Sequence, residues 1–412
     1  MNVVVTSEHR FQQTSDGAVW TQTQLARRSW DPYLQVFDRV RVVARVQPVE
    51  RQSDGWIRAD DGDRVTFAPI PYYVGPWQYL LKRGAVGRAA RKAIGASDAV
   101  ILKVPSTLAQ AVMPKLRSEG RPIFVEVVGD PYDVFAPGAS KHPLAPFFRW
   151  LFPRRLREVC REATGAAYVT RAALQRRYPC PQGETGVSDV EIPDEALVAQ
   201  GRPAKPGKQR FTAMFLGTLA QLYKAPDVLI HAVGLVRKSG VEIDLVLVGD
   251  GQFRPQLLAQ AERLGIAEHV HFRGQLAAGG AVREELDRAD LFILPSHQEG
   301  LPRAMVEAMA RGLPCIGSTV GGIPELLAPE DMVPPGDAEA LAAKIREVVS
   351  DPNRLAAMSA RNLETARTYA ADRLAGIRRE FFETVRAKTE AWLAKTHPHL
   401  ASTKGAAQCP AC

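Results

Sequence analysis

The chain has 412 residues, 46% of them hydrophobic, and 53 basic against 45 acidic side chains give a net charge of +8 and an isoelectric point near 9.3. That length exceeds one ordinary domain and supplies enough apolar material for two cores, while no run of about eighteen apolar residues is present to span a bilayer. Five widely separated cysteines (Cys160, Cys180, Cys315, Cys409 and Cys412) do not make a disulfide framework and are expected to stay reduced.

MNVVVTS opens the sequence on a strand without the charged and apolar regions of a secretory signal, which points to the cytoplasm. SEHRFQQTSDGAVWTQT then reads as the end of that strand, a turn at Asp16 and Gly17, and a helix. His9 reads as a satisfied surface or core side chain. FDRVRVVARV, AVILKVP, PIFVEVV and AAYVT are further apolar runs separated by helical stretches, so residues 1–195 are expected to form a first parallel sheet. WIRADDGDRVTFAP reads as a local hairpin around Asp61, Gly62 and Asp63, and the glycine turn explains its D-x-D spelling better than a metal site does. In VEVVGDPYD a buried strand runs into Asp130, which either begins a turn before Pro131 or faces a cleft.

Two basic stretches stand out. Between residues 65 and 97 lie Lys82, Arg83, Arg88, Arg91 and Lys92 with no acidic residue. FFRWLFPRRLREVCR mixes Phe147, Phe148, Trp150, Leu151 and Phe152 with four arginines before Glu158. It reads first as an ordinary helix with its aromatics in the core, and second as a face resting on an anionic membrane leaflet. No nucleic-acid reading module accompanies these cations.

AKPGKQR marks a linker at 196–208, and a second unit is expected over 209–370. It opens on the strand RFTAMFLG, then Gly217, Thr218 and a lysine, Lys224, that alone would pass for a solvent-exposed loop residue. IDLVLVGDGQFRPQLLAQAERLG gives a strand, a tight turn at Gly249, Asp250 and Gly251, and a helix ending near Gly265. HVHFRG, DLFILPS and PCIGS read as further buried strands. Residues 371–396 are helix-like, and 397–412 read as a disordered tail. Its C-x-x-C at Cys409 and Cys412, with His397 and His399, has the ligand inventory of a zinc site, but the composition favours disorder and no metal is assigned.

The segment LPSHQEGLPRAMVEAMARGLPCIGSTVGGIPELL, residues 294–327, sets Glu299 and Glu307 eight residues apart across a loop-to-helix junction. Pro302 suits the first helical position and Gly312 a stop, so a helix is expected from about 302 to about 311. Amides near Gly300 and Leu301, with the helix dipole, can hold an anion such as a diphosphate. From spacing alone, Arg303, Glu307 and Arg311 serve equally well as a surface ion-pair ladder opposite a core face of Ala304, Met305, Ala308 and Met309.

This segment resembles the donor-site signature of the retaining glycosyltransferases of family 4, with their E-x7-E motif. FLGTLAQLYKAPDVLIHAV, residues 215–233, is similar to that family's strand, glycine loop and helix, with Lys224 at the position of the lysine that reaches the donor diphosphate. Thr218 stands where the family usually carries an arginine. The resemblance implies an α/β protein of GT-B architecture: two Rossmann-like domains facing across a cleft, with helix 371–396 crossing back to the first. It implies donor contacts from Gly17, Gly217, Thr218, Lys224, Gly249, Gly251, Arg273, Glu299, Gly300, Leu301, Pro302 and Glu307. Glu299, Lys224 and Asp130 are the implied catalytic positions, Asp130 falling where the family commonly has a polar cleft residue. Gly17 takes the place of the glycine loop, and Arg273 that of a residue beside the base.

The implied activity is transfer of a sugar, with retained configuration, from a nucleoside-diphosphate sugar to a hydroxyl acceptor, without metal, cofactor or protein nucleophile. A lipid-linked acceptor would bring the chain to the inner face of the membrane. A nucleotide-sugar epimerase or hydrolase of the same architecture, and a non-catalytic nucleotide-sugar-binding protein, are the alternative readings.

Overall fold

A computed structural model describes residues 1–398 apart from 24, 54, 136–142 and 278. His399, Cys409 and Cys412, and with them the tail beyond residue 398, lie outside the described residues.

The first half contains β1 (Val3–Gln13), β2 (Val19–Thr21), α1 (Asp31–Leu34), β3 (Val40–Pro48), β4 (Ile57–Arg58), β5 (Val65–Ile70), α2 (Gly75–Lys92) and β6 (Ala99–Val104). It continues through α3 (Thr107–Ser118), β7 (Phe124–Val127), α4 (Pro131–Val134), α5 (Ala145–Glu162), β8 (Gly165–Tyr168), α6 (Ala173–Arg177) and β9 (Glu184–Gly186). The second half has β10 (Arg210–Leu216), α7 (Pro226–Lys238), β11 (Glu242–Val248), α8 (Arg254–Arg263), β12 (Val270–Gly274), α9 (Gly280–Arg288) and β13 (Leu291–Leu294). Then come α10 (Arg303–Ala310), β14 (Cys315–Ser318), β15 (Met332–Val333), α11 (Ala338–Val349), α12 (Pro352–Arg367) and α13 (Ala371–Thr396).

Each half is a Rossmann-like sheet whose strand order reverses once. In the first, β1 pairs in parallel with β3 on one side, Val3 opposite Val40, and with β6 on the other, Val3 opposite Ala99. In the second, the order is β12-β11-β10-β13-β14-β15 with every pair parallel, so the reversal falls between β10 and β13. Strands buried on both faces read as continuous apolar runs, as in β13 and β14, where every residue is buried. β12 departs from the expected buried run. It is the sheet edge and alternates buried with exposed positions.

Two local expectations fail. β1 does not lead through Gly17 into a helix but continues to Gln13 and turns back as a hairpin, with Gln12 opposite Trp20. The Asp16 carboxylate accepts the Ala18 amide at 3.1 Å, and Gly17 takes the turn's positive φ of 87°. A helix is prevented because these backbone groups are already taken by strand pairing, with Val19 N–H also donating to Asp60. Nor do the segments flanking Asp61 form a hairpin with one another. β4 lies antiparallel on β2 and β5 parallel on β3, while the Asp61 carboxylate holds the turn through the amides of Asp63 and Val65.

The segment between the halves is pinned to the second one. Val198 N–H donates to Ala310, Arg202 N–H to Ser359 Oγ at 2.7 Å, and the Arg202 guanidinium to the carbonyls of Leu286, Ala289 and Arg311. α13 packs on the first sheet: Phe382 stacks on Tyr33 with centroids 4.4 Å apart, Phe381 meets Phe124 edge-on, and Arg386 donates to the Val36 carbonyl. Phe382 is fully buried there. Phe382→Ala should therefore cost about 3–5 kcal/mol and lower the urea midpoint of the first half's transition, read by tryptophan fluorescence.

Candidate functional site

In an open α/β sheet the ligand crevice lies beyond the carboxyl ends of the strands at the order reversal. The loops after β10 and β13 flank that point in the second half, and they bring Lys224 and Glu299 together. Lys224 Nζ donates to Glu299 Oε1 at 2.7 Å, and Ser296 Oγ donates to the same oxygen at 2.9 Å. Both side chains are largely buried, with 14% and 7% exposure. Removing one partner would strand a desolvated charge.

The backbone around this pair is tightly constrained. Ala225, which follows Lys224 and precedes α7, has φ +53°, a strained conformation for a residue with a Cβ. Gly217 leaves room for the Lys224 side chain, since a Cβ there would stand 2.5 Å from its Cδ. A Cβ on Gly249 would lie 1.8 Å from the Gly217 carbonyl oxygen, and one on Gly251 2.0 Å from the Ala220 nitrogen. These glycines thus allow two loops to pack backbone to backbone, stitched by Gly217 N–H to Val248 and Leu219 N–H to Asp250. On the other side Gly322 N–H donates to the Gly300 carbonyl at 2.7 Å, and Gly321 meets the Glu299 carbonyl where no side chain fits.

Helix α10 begins at Arg303, one residue later than expected. Pro302 is its N-cap, in extended conformation, with its carbonyl accepting from Met305 and Val306. The amides of Gly300, Leu301, Arg303 and Ala304 donate to no acceptor among the described residues, so the junction presents open N–H groups. Gly312 ends the helix at φ +64°. Glu307 is half-buried, and its carboxylate has no hydrogen-bond or ion-pair partner among the described residues. Burial pushes its pKa up, and the charges of Arg303 and Arg283 offset only part of that.

The remaining sequence-derived positions lie elsewhere or are otherwise engaged. Thr218 Oγ1 accepts its own loop's Ala220 amide at 3.1 Å. Arg273 is half-exposed and 3.5 Å from Glu285. Asp130 caps α4, accepting the Tyr132 amide at 2.9 Å, and also binds Arg177 and the Tyr178 hydroxyl, so it fills the turn-forming role. Gly17 sits in the exposed hairpin turn with open space around it. His9 Nε2 lies 3.1 Å from Thr21 Oγ1.

Several residues that sequence reading passed over line the space between the halves. A cavity of about 440 Å3 is bounded by Arg28, Lys103, Glu126 and Asp189 from the first half, by Arg303 at the start of α10, and by Arg378 on α13; neither Glu299 nor Glu307 is among its lining residues. Within it Tyr33 donates its hydroxyl to Glu126, and Lys103 lies 3.4 Å from the same carboxylate. Glu8, at the first sheet's order reversal, accepts from Ser106, Thr107 and the Leu108 amide at the start of α3. Burial works to raise its pKa, but those bonds and Arg45 hold it below the ordinary carboxylate value. Glu325 reaches from the second half to the amides of Arg171, Ala172 and Ala173, capping α6 of the first. Only long-range pairing reveals these roles; one local signal existed for Glu8, an acidic residue within β1 directly after its buried stretch.

Residues 210–351 match the family described as glycosyl transferases group 1. The chain is 27% identical to Protein CapJ of Staphylococcus aureus over 341 residues, 80% of this chain and 82% of that one. Among solved structures it is similar to sucrose-phosphate synthase from Thermosynechococcus elongatus, with a TM-score of 0.66 and 17% identity over 94% of this chain and 99% of that one. It is also similar to Anabaena Alr3699/HepE in complex with UDP and glucose, with a TM-score of 0.60 and 18% identity over 94% and 100%. The family match is confined to residues 210–351 of the second half, and the likeness to the solved structures shows that the whole has the GT-B fold.

A carboxyl whose folded-state pKa is raised costs stability once pH exceeds its unfolded value, and the cost disappears as pH falls below that value. Glu307→Gln should therefore melt higher than the wild type at pH 7, with the difference vanishing below about pH 4.3. Calorimetry across that range checks it, and a constant difference would contradict the burial argument.

Proposed function

We propose that this protein is a retaining glycosyltransferase that moves a sugar from a nucleoside-diphosphate sugar to a hydroxyl acceptor. The observation that carries the reading is the Lys224–Glu299 pair at the order reversal of the second sheet, beside the open amides that lead into α10. Lys224 and those amides would share the negative charge that develops on the departing diphosphate, the most demanding requirement of the reaction. Glu299, already oriented by Ser296, would accept hydrogen bonds from the sugar hydroxyls, and the partnerless Glu307 those from the ribose. The complex of HepE with UDP and glucose supports a nucleotide donor for a chain of this fold.

The acceptor would enter through the cavity lined by Lys103, Glu126 and Arg303. Its oxygen attacks the anomeric carbon from the face the diphosphate leaves, the anomeric C–O bond to phosphate breaks, and a diphosphate oxygen takes the acceptor's proton. No protein nucleophile, metal or cofactor enters this scheme, and Asp130, committed to Arg177 and Tyr178, has no part in it. A lipid-linked acceptor and a place at the inner face of the membrane belong to the same reading.

A thermal-shift series of nucleoside diphosphates identifies the base, since a cognate ligand at about a hundred times its dissociation constant stabilises by roughly 2.7 kcal/mol. With that donor, product analysis should show a transferred sugar of retained configuration; isomerised or hydrolysed donor, or binding without turnover, would replace this reading with an epimerase, a hydrolase or a binding protein. Glu299→Ala should keep nucleotide affinity and lose about a hundredfold or more in transfer. Glu307→Ala should raise the nucleotide dissociation constant about tenfold, the loss of one to two hydrogen bonds to a charged acceptor. Wild-type turnover and binding in both variants would return the two glutamates to a structural role.

A further inference from the structure

Lys103 on β6 and Glu126 on β7 stand opposite one another in register, two charged side chains in strands whose other residues are all apolar. They keep only 25% and 14% exposure, and charges so placed need partners. Glu126 has one, since the Tyr33 hydroxyl lies 2.8 and 2.7 Å from its two oxygens. Lys103 is less well served. Its Nζ is 3.4 Å from Glu126, beyond the roughly 2.9 Å of a charge-assisted hydrogen bond, and among the described residues it otherwise meets only the ring faces of Trp30 and Tyr33, at 5.6 and 5.8 Å.

The cavity of about 440 Å3 that Lys103 lines holds two more cations with open donors. Arg28, exposed in the turn before α1, makes no side-chain hydrogen bond or ion pair among the described residues. Arg303 commits one N–H to the Asp189 carbonyl at 3.3 Å. The fourth cation, Arg378, is taken by Glu191 and the Ser188 carbonyl. Of the acidic lining residues, Glu126 and Glu191 are engaged, and Asp189, which is exposed, is the one free carboxylate among the described residues. Three cations with unfilled donors, drawn from both halves of the molecule, thus face one free carboxylate. Such a space attracts an anion, and apolar walls such as Val127 and Phe381 strengthen the attraction by keeping water scarce. Neither Lys224 nor Glu299 lines it, so the anion it suits is not the donor's diphosphate.

We propose that this cavity selects acceptors that carry an anionic group, a carboxylate or a phosphate, seated against Lys103, Arg28 and Arg303. The inference deepens the glycosyl-transfer reading and rests on it for the acceptor's role, while the anion site stands on the geometry of the cavity. Glu126 acts through Lys103 and is a positioning residue: fixed by Tyr33, it holds the ammonium at the cavity wall without filling its donors.

The test is a titration of the full chain, followed by ligand-observed NMR, with methyl glucoside, methyl glucuronide and glucose 6-phosphate, with and without the nucleoside diphosphate selected by thermal shift. Both anionic sugars are expected to bind about tenfold or more tighter than the neutral one, with the difference shrinking as salt rises. Lys103→Met keeps an apolar stem against Trp30 and Tyr33 and should remove most of that preference, whereas Lys103→Arg should keep it. Arg28→Gln, at an exposed position where folding is not at stake, should lower the affinity for the anionic sugars about threefold. Glu299→Gln should show the same charge preference as the wild type, so that loss of transfer with the preference intact counts against the catalytic reading alone. Equal affinity for all three sugars, absence of binding included, would overturn the proposal, as would a preference left unchanged by both Lys103→Met and Arg28→Gln. A preference shown only by a nucleoside-diphosphate uronate over its hexose counterpart would move the anion to the donor and overturn it too.

Discussion

The reversal of strand order between β10 and β13 is the constraint on which the site depends. Parallel strands wound in opposite directions from a central pair send their connecting helices to opposite faces, so the loops after β10 and β13 diverge and leave a crevice at the carboxyl ends. Into that crevice the first loop brings Lys224 and the second Glu299, and the 2.7 Å bond between them closes the gap the topology opens. Side by side and largely buried, the lysine and the carboxylate compensate one another where water is scarce.

The same logic governs the first sheet, whose order reverses between β1 and β6. There Glu8 leaves the end of the buried stretch of β1 and accepts three hydrogen bonds at the start of α3, which follows β6. The two halves are then tied by a second carboxylate at a helix start. Glu325 caps α6 of the first half while its own loop is locked through Gly322 to Gly300. The loop that carries Glu299 is thereby linked through residues 322–325 to the other half of the molecule.

How much of this the sequence announces follows the range of the interactions. Apolar runs such as Leu291–Leu294 and the helix stop at Gly312 are local, set by burial and by a positive φ, and they are legible. The hairpin at Gly17 was not, because Val19–Thr21 is three residues long and its strand character comes from β1 and β4, distant or folded back on it. The separation of β4 from β5 is likewise decided by partners elsewhere in the sheet. The glycines at 249 and 251 pointed to a crowded turn, but the crowding partner, the backbone of residues 217–220, is some thirty residues away in sequence and invisible to spacing. The strain at Ala225 had no signal at all, since alanine carries none of the marks of a left-handed residue.

Glu307 shows why a motif and a solvated ion ladder, identical on paper, differ in the folded chain. The ladder requires Arg303 and Arg311 to neutralise it. Arg311 is instead committed to both oxygens of Asp287 at 2.8 Å and to the Ala196 carbonyl, while Arg303 reaches across to the Asp189 carbonyl at 3.3 Å. Each arginine serves a contact that ties α10 to another part of the molecule, and the glutamate between them is left half-buried and without a bond. A surface pair would cost the protein nothing to form. Leaving it unmade is what the proposed role of Glu307, accepting hydrogen bonds from a polar ligand, requires.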